Sequence, residues 1–120
     1  MFSLKSLSPQ YFAPAQIQNL DETGALQVHK FDVEFRRITT PEVEAIRKEA
    51  EAGTLAHEDL YARVLVGWRG ILDADDQPLA FSPASLADAL KVRGMRQAIS
   101  KSFFDSLAPE AGAWLAGESK

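Results

Sequence analysis

Three aspartates within four residues, at positions 73, 75 and 76, are the clearest candidates for chemistry in this sequence. A calcium loop of the EF-hand type has acids at its first and third positions, and Asp73 and Asp75 satisfy that part of the pattern. The loop also needs glycine at position six and a bidentate glutamate at position twelve, where this chain has Pro78 and Ala84. The sequence therefore predicts a polar turn and no metal site.

Histidine and serine side chains could also carry catalysis, but they stand in no catalytic motif. His29 falls in a predicted strand and His57 at a predicted helix start, and the sequence has no HExxH, no cysteine and no GxSxG motif. An enzyme would need one of these histidines beside a carboxylate in a deep polar pocket. We therefore predict no catalytic residue and no cofactor, and favour binding or assembly over catalysis.

The stretch "GWRG" at 67–70 lacks both the glycine spacing and the lysine of a phosphate-binding loop. Its glycines are predicted to allow close helix packing or to end a helix.

Composition places the chain among soluble domains of ordinary size. It has 120 residues, 46% hydrophobic and 25% charged, enough to bury a core without disulfides or metals. The net charge of −4 disfavours nucleic-acid binding, and no apolar run approaches the roughly 20 residues of a membrane span. With no cysteine and no secretory signal pattern, we expect a cytoplasmic protein without nucleic-acid or membrane partners.

The sequence predicts a single domain over residues 1–120, divided into four consecutive parts. These are an irregular lead-in (1–14), a β region (15–38), a helical region (40–108) and a tail (109–120) with a short helical turn around Trp114. The expected fold class is α+β, mainly α-helical with four to five helices, preceded by an N-terminal β-hairpin or extended strands.

Apolar residues in the β region fall into two sets of opposite parity after the predicted turn "DETG" at 21–24. Leu26 and Val28 form the even set. The odd set is Phe31, Val33 and Phe35. A regular strand would place the two sets on opposite faces, whereas a bulge near 29–30 would bring them to one face. A third possibility is a strand with both faces partly covered, for example by a second subunit.

Capping signals and helical spacing predict the first two helices. Thr40 is the expected cap of the first helix, Pro41 suits its first turn, and Gly53 is its expected end. A second helix is predicted from about Ala56 to about Arg69, because apolar residues recur there at three- and four-residue steps. Its residues 64–66 alone could form a strand, but the preceding "HEDLYAR" favours helix.

Two further helices follow the acidic turn. Ser82 before Pro83 repeats the signal of a cap and a first-turn proline, and predicts a short helix that ends at Gly94. The stretch "MRQAISKSFFDSL" predicts the last helix. Phe103 and Phe104 are adjacent in it, and helix geometry separates their directions by about 100°, so one of them is a candidate for partner contact.

Three segments together resemble the tail assembly chaperones of long-tailed bacteriophages and prophages. They are "HKFDVEFRRITTPEVEAI", "VLVGWRGILDADDQPLAFSPASLADAL" and the closing "V.GMRQAI…F…L", so that the resemblance covers roughly residues 28–107. Its most specific part is the family pattern "V.GW.G..D.DG.PL.FS". The matching residues are Gly67, Trp68, Asp73, Pro78, Leu79, Phe81 and Ser82. Where the pattern favours Asp-Gly, this chain has Asp76-Gln77.

The resemblance implies a non-enzymatic protein that acts in tail morphogenesis. Members of the family bind the tape measure protein, a long and largely helical chain, and keep it soluble while the tail tube polymerises around it. They are also thought to recruit the major tail tube protein, are absent from the finished virion, and often exist in short and frameshift-extended forms. The alternative interpretation is a structural tail or connector component that stays in the virion.

Such a chaperone needs an apolar groove for its client and contacts between neighbouring copies. The aromatic residues of the helical region, most often core residues, could also line such a groove. The strand that carries the odd apolar set could support self-association by edge pairing or packing. The predicted partner-binding residues are Phe31, Val33, Phe35, Trp68, Phe81, Phe103 and Phe104.

Overall fold

A computed structural model describes residues 7–107 of the chain. The predicted tail, with its helical turn around Trp114, lies outside the described residues. The elements in chain order are β1 (Gln10–Leu20), β2 (Leu26–Arg36), α1 (Thr40–Ala52), α2 (His57–Val64), β3 (Leu65–Arg69), α3 (Pro83–Ala89) and α4 (Met95–Leu107). Four helices and a three-stranded antiparallel sheet that begins with a hairpin confirm the predicted α+β class.

The hairpin of β1 and β2 turns at the predicted "DETG". The Asp21 carboxylate accepts hydrogen bonds from the backbone N–H groups of Thr23 (2.8 Å) and Ala25 (2.9 Å). Gly24 has a φ of 87°, the left-handed conformation that glycine adopts without steric cost. The predicted turn is therefore confirmed, with an Asx-type arrangement that holds it.

Pairing in the hairpin is continuous from Leu20 opposite Leu26 to Gln10 opposite Arg36. No bulge interrupts it near 29–30, so the two apolar sets of β2 lie on opposite faces. The odd set faces the core, where Val33 exposes 0% and Phe35 1% of its surface. Val28, from the even set, is 44% exposed on the other face.

Strand β1 begins inside the segment that the sequence predicted to be an irregular lead-in. Residues 10–14 pair with β2, and Pro14 lies opposite Asp32. Pro14 is tolerated because β1 is an edge strand and a proline whose backbone nitrogen faces away from the neighbouring strand removes no sheet hydrogen bond. The last five residues of the predicted lead-in are therefore part of the sheet.

The predicted second helix is wrong after Val64. The helix α2 ends there, and Leu65–Arg69 forms β3, which pairs with β2 in the order β1-β2-β3. Trp68 lies opposite Val33, and a register shift between Glu34 and Phe35 accommodates the start of the strand. The predicted helical region at 40–108 therefore contains the third strand of the sheet.

Helix boundaries follow local capping chemistry. Thr39, one residue before the predicted Thr40, is the N-cap of α1 and forms a reciprocal capping box with Glu42. Gly53 ends this helix at a φ of 74°, as predicted. Ser82 caps α3 as predicted, but the helix ends at Ala89, well before Gly94.

Helix α4 covers the inner face of the hairpin and closes the core. Phe103, which is fully buried, packs edge-on against Phe35 with ring centroids 5.2 Å apart. Two hydroxyl contacts fasten the helix to β1: Ser102 Oγ donates to the carbonyl of Pro14 (2.8 Å), and Ser106 Oγ lies 2.7 Å from the Tyr11 hydroxyl. The sheet is thus covered on one face by helices and open on the other.

Candidate functional site

The segment with the most specific resemblance, residues 67–82, forms one packed unit around Trp68. The indole Nε1 donates a hydrogen bond of 2.8 Å to the Leu79 carbonyl. The Phe81 ring meets the indole edge-on, with centroids 4.9 Å apart and an interplanar angle of 86°. An isolated bridge joins Leu72 to Pro78, so the acidic turn folds back on itself. These residues fix the path of the chain from β3 to the cap of α3.

Of the three aspartates in this turn, Asp73 holds the backbone through its side chain. Asp73 Oδ1 accepts hydrogen bonds from the N–H groups of Asp75 (2.8 Å) and Gln77 (3.0 Å). Asp76 has a φ of 58°, in the left-handed region that Asp enters more readily than most residues. Within residues 7–107 no group of three acidic or histidine side chains could hold a metal ion.

His57 lines a small cavity, whereas His29 is exposed. His57 Nδ1 lies 2.8 Å from Ser100 Oγ, at the edge of a cavity of about 170 Å³ that Leu55, Leu60 and Phe104 also line. No carboxylate lines this cavity. His29 Nε2 is exposed and lies 3.2 Å from Asn19 Oδ1. Both histidines therefore have hydrogen-bond partners that position them in the fold.

Carboxylates paired with arginines link the elements of the helical layer. The hydrogen bonds of Arg63 lower the pKa of Glu49, with N–O distances of 2.6 and 3.0 Å. The hydrogen bond from Arg96, at 2.6 Å, lowers the pKa of Glu58. A carboxylate whose pKa is lowered stays ionised at neutral pH and is a poor proton donor or acceptor, so these pairs are suited to structure.

Five of the seven predicted partner-binding residues are buried in the core, each at most 9% exposed. They are Phe31, Val33, Phe35, Trp68 and Phe103. Phe81 and Phe104 are half-buried, and the Phe104 ring meets the buried Phe103 ring edge-on, with centroids 5.4 Å apart. In this conformation these five residues expose little surface to a partner.

Residues 32–35 of β2 also lack the free edge that edge pairing with a neighbouring copy would need. This strand is central in the sheet, and its segment 32–35 pairs with β1 on one side and β3 on the other. Its backbone groups are consequently used inside the fold. Edge pairing with another chain is therefore available only to parts of the sheet outside residues 32–35.

A cleft of about 570 Å³ lies between the hairpin and α4. Its apolar walls include Ala15, Phe31 and Ala98. Its charged lining includes Lys30 and an ion pair between Lys101 and Asp105. No sequence signal could have located this cleft, because its walls come from four separate segments of the chain.

The face of the sheet that no helix covers also carries exposed apolar side chains. Phe12 is 39% exposed, and the guanidinium of Arg69 lies over its ring at 3.9 Å from the centroid. Arg69 also bonds to Asp32 at 2.9 Å, so one cation links β1, β2 and β3 on this face. At the far end of the hairpin, Leu20 and Leu26 face each other and are mostly exposed.

Among the helices at 7–107, none combines the length and apolarity that crossing a membrane requires. No protein-family model matches the chain, and no curated protein or solved structure matches it.

Proposed function

We propose that this protein is a non-enzymatic tail assembly chaperone of a long-tailed phage or prophage, and that it binds the tape measure protein during tail morphogenesis. The observation that carries the proposal is the segment 67–82, whose match to the family pattern is its most specific feature. Trp68 contacts both Leu79 and Phe81 in the fold, so the pattern corresponds to a physical unit. The recruitment of a tail tube protein belongs to the same proposal.

The cleft beside α4 is the surface that best suits a helical client. Helix recognition of this kind places apolar side chains of the client, three or four residues apart, in a groove with an apolar floor. Ala15, Phe31 and Ala98 provide such a floor, and a volume of about 570 Å³ accommodates several side chains. Lys30, Lys101 and Asp105 at its walls can contact the polar flanks of either sign on a client helix.

Co-expression with the tape measure protein of the same phage or prophage tests the function. We expect the client to remain in the soluble fraction with this protein and to aggregate without it. A client that is equally insoluble in both cases contradicts the chaperone role. Recovery of the protein at stoichiometric levels from purified virions would instead favour the structural component of the tail or connector.

A pair of matched variants tests the cleft. Ala15→Glu places a charge on the apolar floor, whereas Ala45→Glu adds the same charge to an exposed position of α1. We expect the first variant to lose co-purification with the client by at least about tenfold, since an unpaired charge in an apolar groove is costly. The second variant should bind as the parent does, and equal binding by both would place the client elsewhere.

A further inference from the structure

The free edge of β1 is unusual because the strand itself has no charged residue to protect it. No Asp, Glu, Lys or Arg occurs between Lys5 and Asp21, although a quarter of the whole chain is charged. Soluble proteins commonly block edge strands with charged residues, proline, bulges or a covering element. Along β1 the one such residue is Pro14, and its carbonyl already accepts a hydrogen bond from Ser102 of α4.

The hairpin register shows which backbone groups face this edge. Asp21 bonds through its N–H to the Ala25 carbonyl, and Arg37 bonds likewise to the Pro9 carbonyl, so the odd residues of β1 form the hydrogen-bonded pairs with β2. The N–H and C=O groups of the even residues therefore point away from β2. Beyond Pro14 these residues are Gln16, Gln18 and Leu20, and residues 7–107 provide no strand on that side.

We propose that a second copy of this chain pairs with this edge, in an antiparallel arrangement centred on Gln18. In this register Gln16 of one copy lies opposite Leu20 of the other, and Gln18 lies opposite itself across a twofold axis. All three free residues then take part, with up to about six new backbone hydrogen bonds. A register centred on Gln16 would instead place Pro14 in the ladder, where it has no N–H to donate.

The charge distribution favours a second copy at this place. Each copy carries a net charge of −4, so two copies repel each other over most of their surfaces. The strand from Gln10 to Leu20 contributes no charge to that repulsion. The facing side chains are amides and leucines, which are compatible with an identical partner.

The area involved indicates a weak association. Two strands of about five residues bury less than the roughly 1,200 Å² of a standard stable interface. We therefore expect a reversible dimer with a dissociation constant in the micromolar range or weaker, and tighter at high salt because the repulsion is screened. This inference concerns copies of this chain alone and does not depend on the identity of a client.

Sedimentation equilibrium of the full chain over a wide concentration range tests the proposal. We expect Gln18→Pro to weaken the dimer by at least about tenfold, because it removes the central donor on both copies, whereas Gln18→Ala should retain it. The proline lies in the same edge orientation as Pro14, so the hairpin pairing does not need the lost N–H. Thermal unfolding of each variant checks that it is folded.

Two variants that place opposite charges at position 18 test the proposed dimer without changing the backbone. Gln18→Glu and Gln18→Lys should each weaken self-association, since like charges then meet on the axis, and an equal mixture should restore it. A parent protein that stays monomeric at millimolar concentration would overturn the proposal. A dimer that both charge variants leave intact would also overturn it. The same holds if Val28→Pro on β2 disrupts the dimer and Gln18→Pro does not.

Discussion

Gly67 and Gly70 lie on either side of Trp68 and have different physical roles. A Cβ at Gly67 would come within 2.7 Å of Glu34 Oε1, the mobile end of a long side chain that can move aside. Gly70 has a φ of 85°, and a Cβ there would lie 3.4 Å from the Cα of Phe31. Neither glycine serves the helix packing or helix ending that the sequence predicted, because this segment belongs to the sheet.

The two alanine substitutions should therefore differ in their effect on the free energy of unfolding. Gly70→Ala is expected to cost about 1–2 kcal/mol, because an L-residue is strained at a positive φ and the new methyl group meets backbone. Gly67→Ala should stay within about 0.5 kcal/mol, since a strand tolerates alanine better than glycine. Urea unfolding measures both values. Equal losses of unfolding free energy in the two variants would mean that the left-handed conformation of Gly70 adds nothing to the cost of its substitution.

Signals confined to a few neighbouring residues were the most predictable part of this fold. Gly53 and Ser82 perform their predicted roles because an αL ending and a serine cap depend only on adjacent backbone. The N-cap of the first helix lies at Thr39 and not at the predicted Thr40 for an equally local reason. Only Thr39 is three residues before Glu42, the spacing that a capping box requires.

At the level of elements, β3 is the part that sequence periodicity could not identify. Leu60, Val64 and Trp68 continue a helical spacing across the boundary between α2 and β3. What ends the helix is a non-local contact, the pairing of Trp68 with Val33 and of Leu65 with Phe35. Five residues are too few for a period-2 pattern to outweigh the helical pattern that precedes them.

Hydrogen exchange can distinguish the strand from the predicted helix. Gly67 and Arg69 lie opposite Glu34 and Asp32, and even residues of β2 direct their backbone groups towards β3. We expect slow exchange at the amides of Gly67 and Arg69 and faster exchange at Trp68 between them. A helix would protect all three amides, because each would bond four residues back. Uniform protection across 67–69 would contradict β3.

The same non-local effect explains the placement of the predicted partner residues. Alternating Phe31, Val33 and Phe35 predict one apolar face, and an apolar face is equally suited to a core and to an interface. In the described structure α4 covers that face through Phe103 and its neighbours, so the face is part of the core. The cleft could not be predicted from the sequence for the same reason, since Lys30 and Lys101 line one cleft only after the hairpin and α4 pack.

For the molecule as a whole, ionised carboxylates are part of the folded state. The backbone N–H of Thr39, followed by Arg36, lowers the pKa of Glu42, and Arg63 lowers that of Glu49. A carboxylate whose pKa is lower in the folded than in the unfolded state contributes its full stabilisation at pH values above the unfolded-state pKa. This contribution is lost as the pH falls through the folded value.

Acid should therefore lower the unfolding temperature, beginning as the pH drops below the ordinary glutamate value of 4.5. Glu49→Gln should reduce this pH dependence, because the neutral amide loses no charge in acid. Glu51→Gln, at an exposed position of the same helix, provides the matched control and should follow the parent. Calorimetry from pH 7 to pH 3 measures the curves, and identical slopes for the parent and Glu49→Gln would contradict this account.

The attachment of α4 to β1 has a consequence for biosynthesis. The bonds between Ser102 and Pro14 and between Tyr11 and Ser106 join residues 88 and 95 positions apart. On the ribosome β1 is the first described element to emerge and α4 the last. The hairpin can form early from local contacts, but the aromatic face around Phe35 stays uncovered until nearly all of the described chain has been translated. During synthesis the apolar face of this strand therefore stays open to incorrect contacts for longest, because the helix that covers it emerges last.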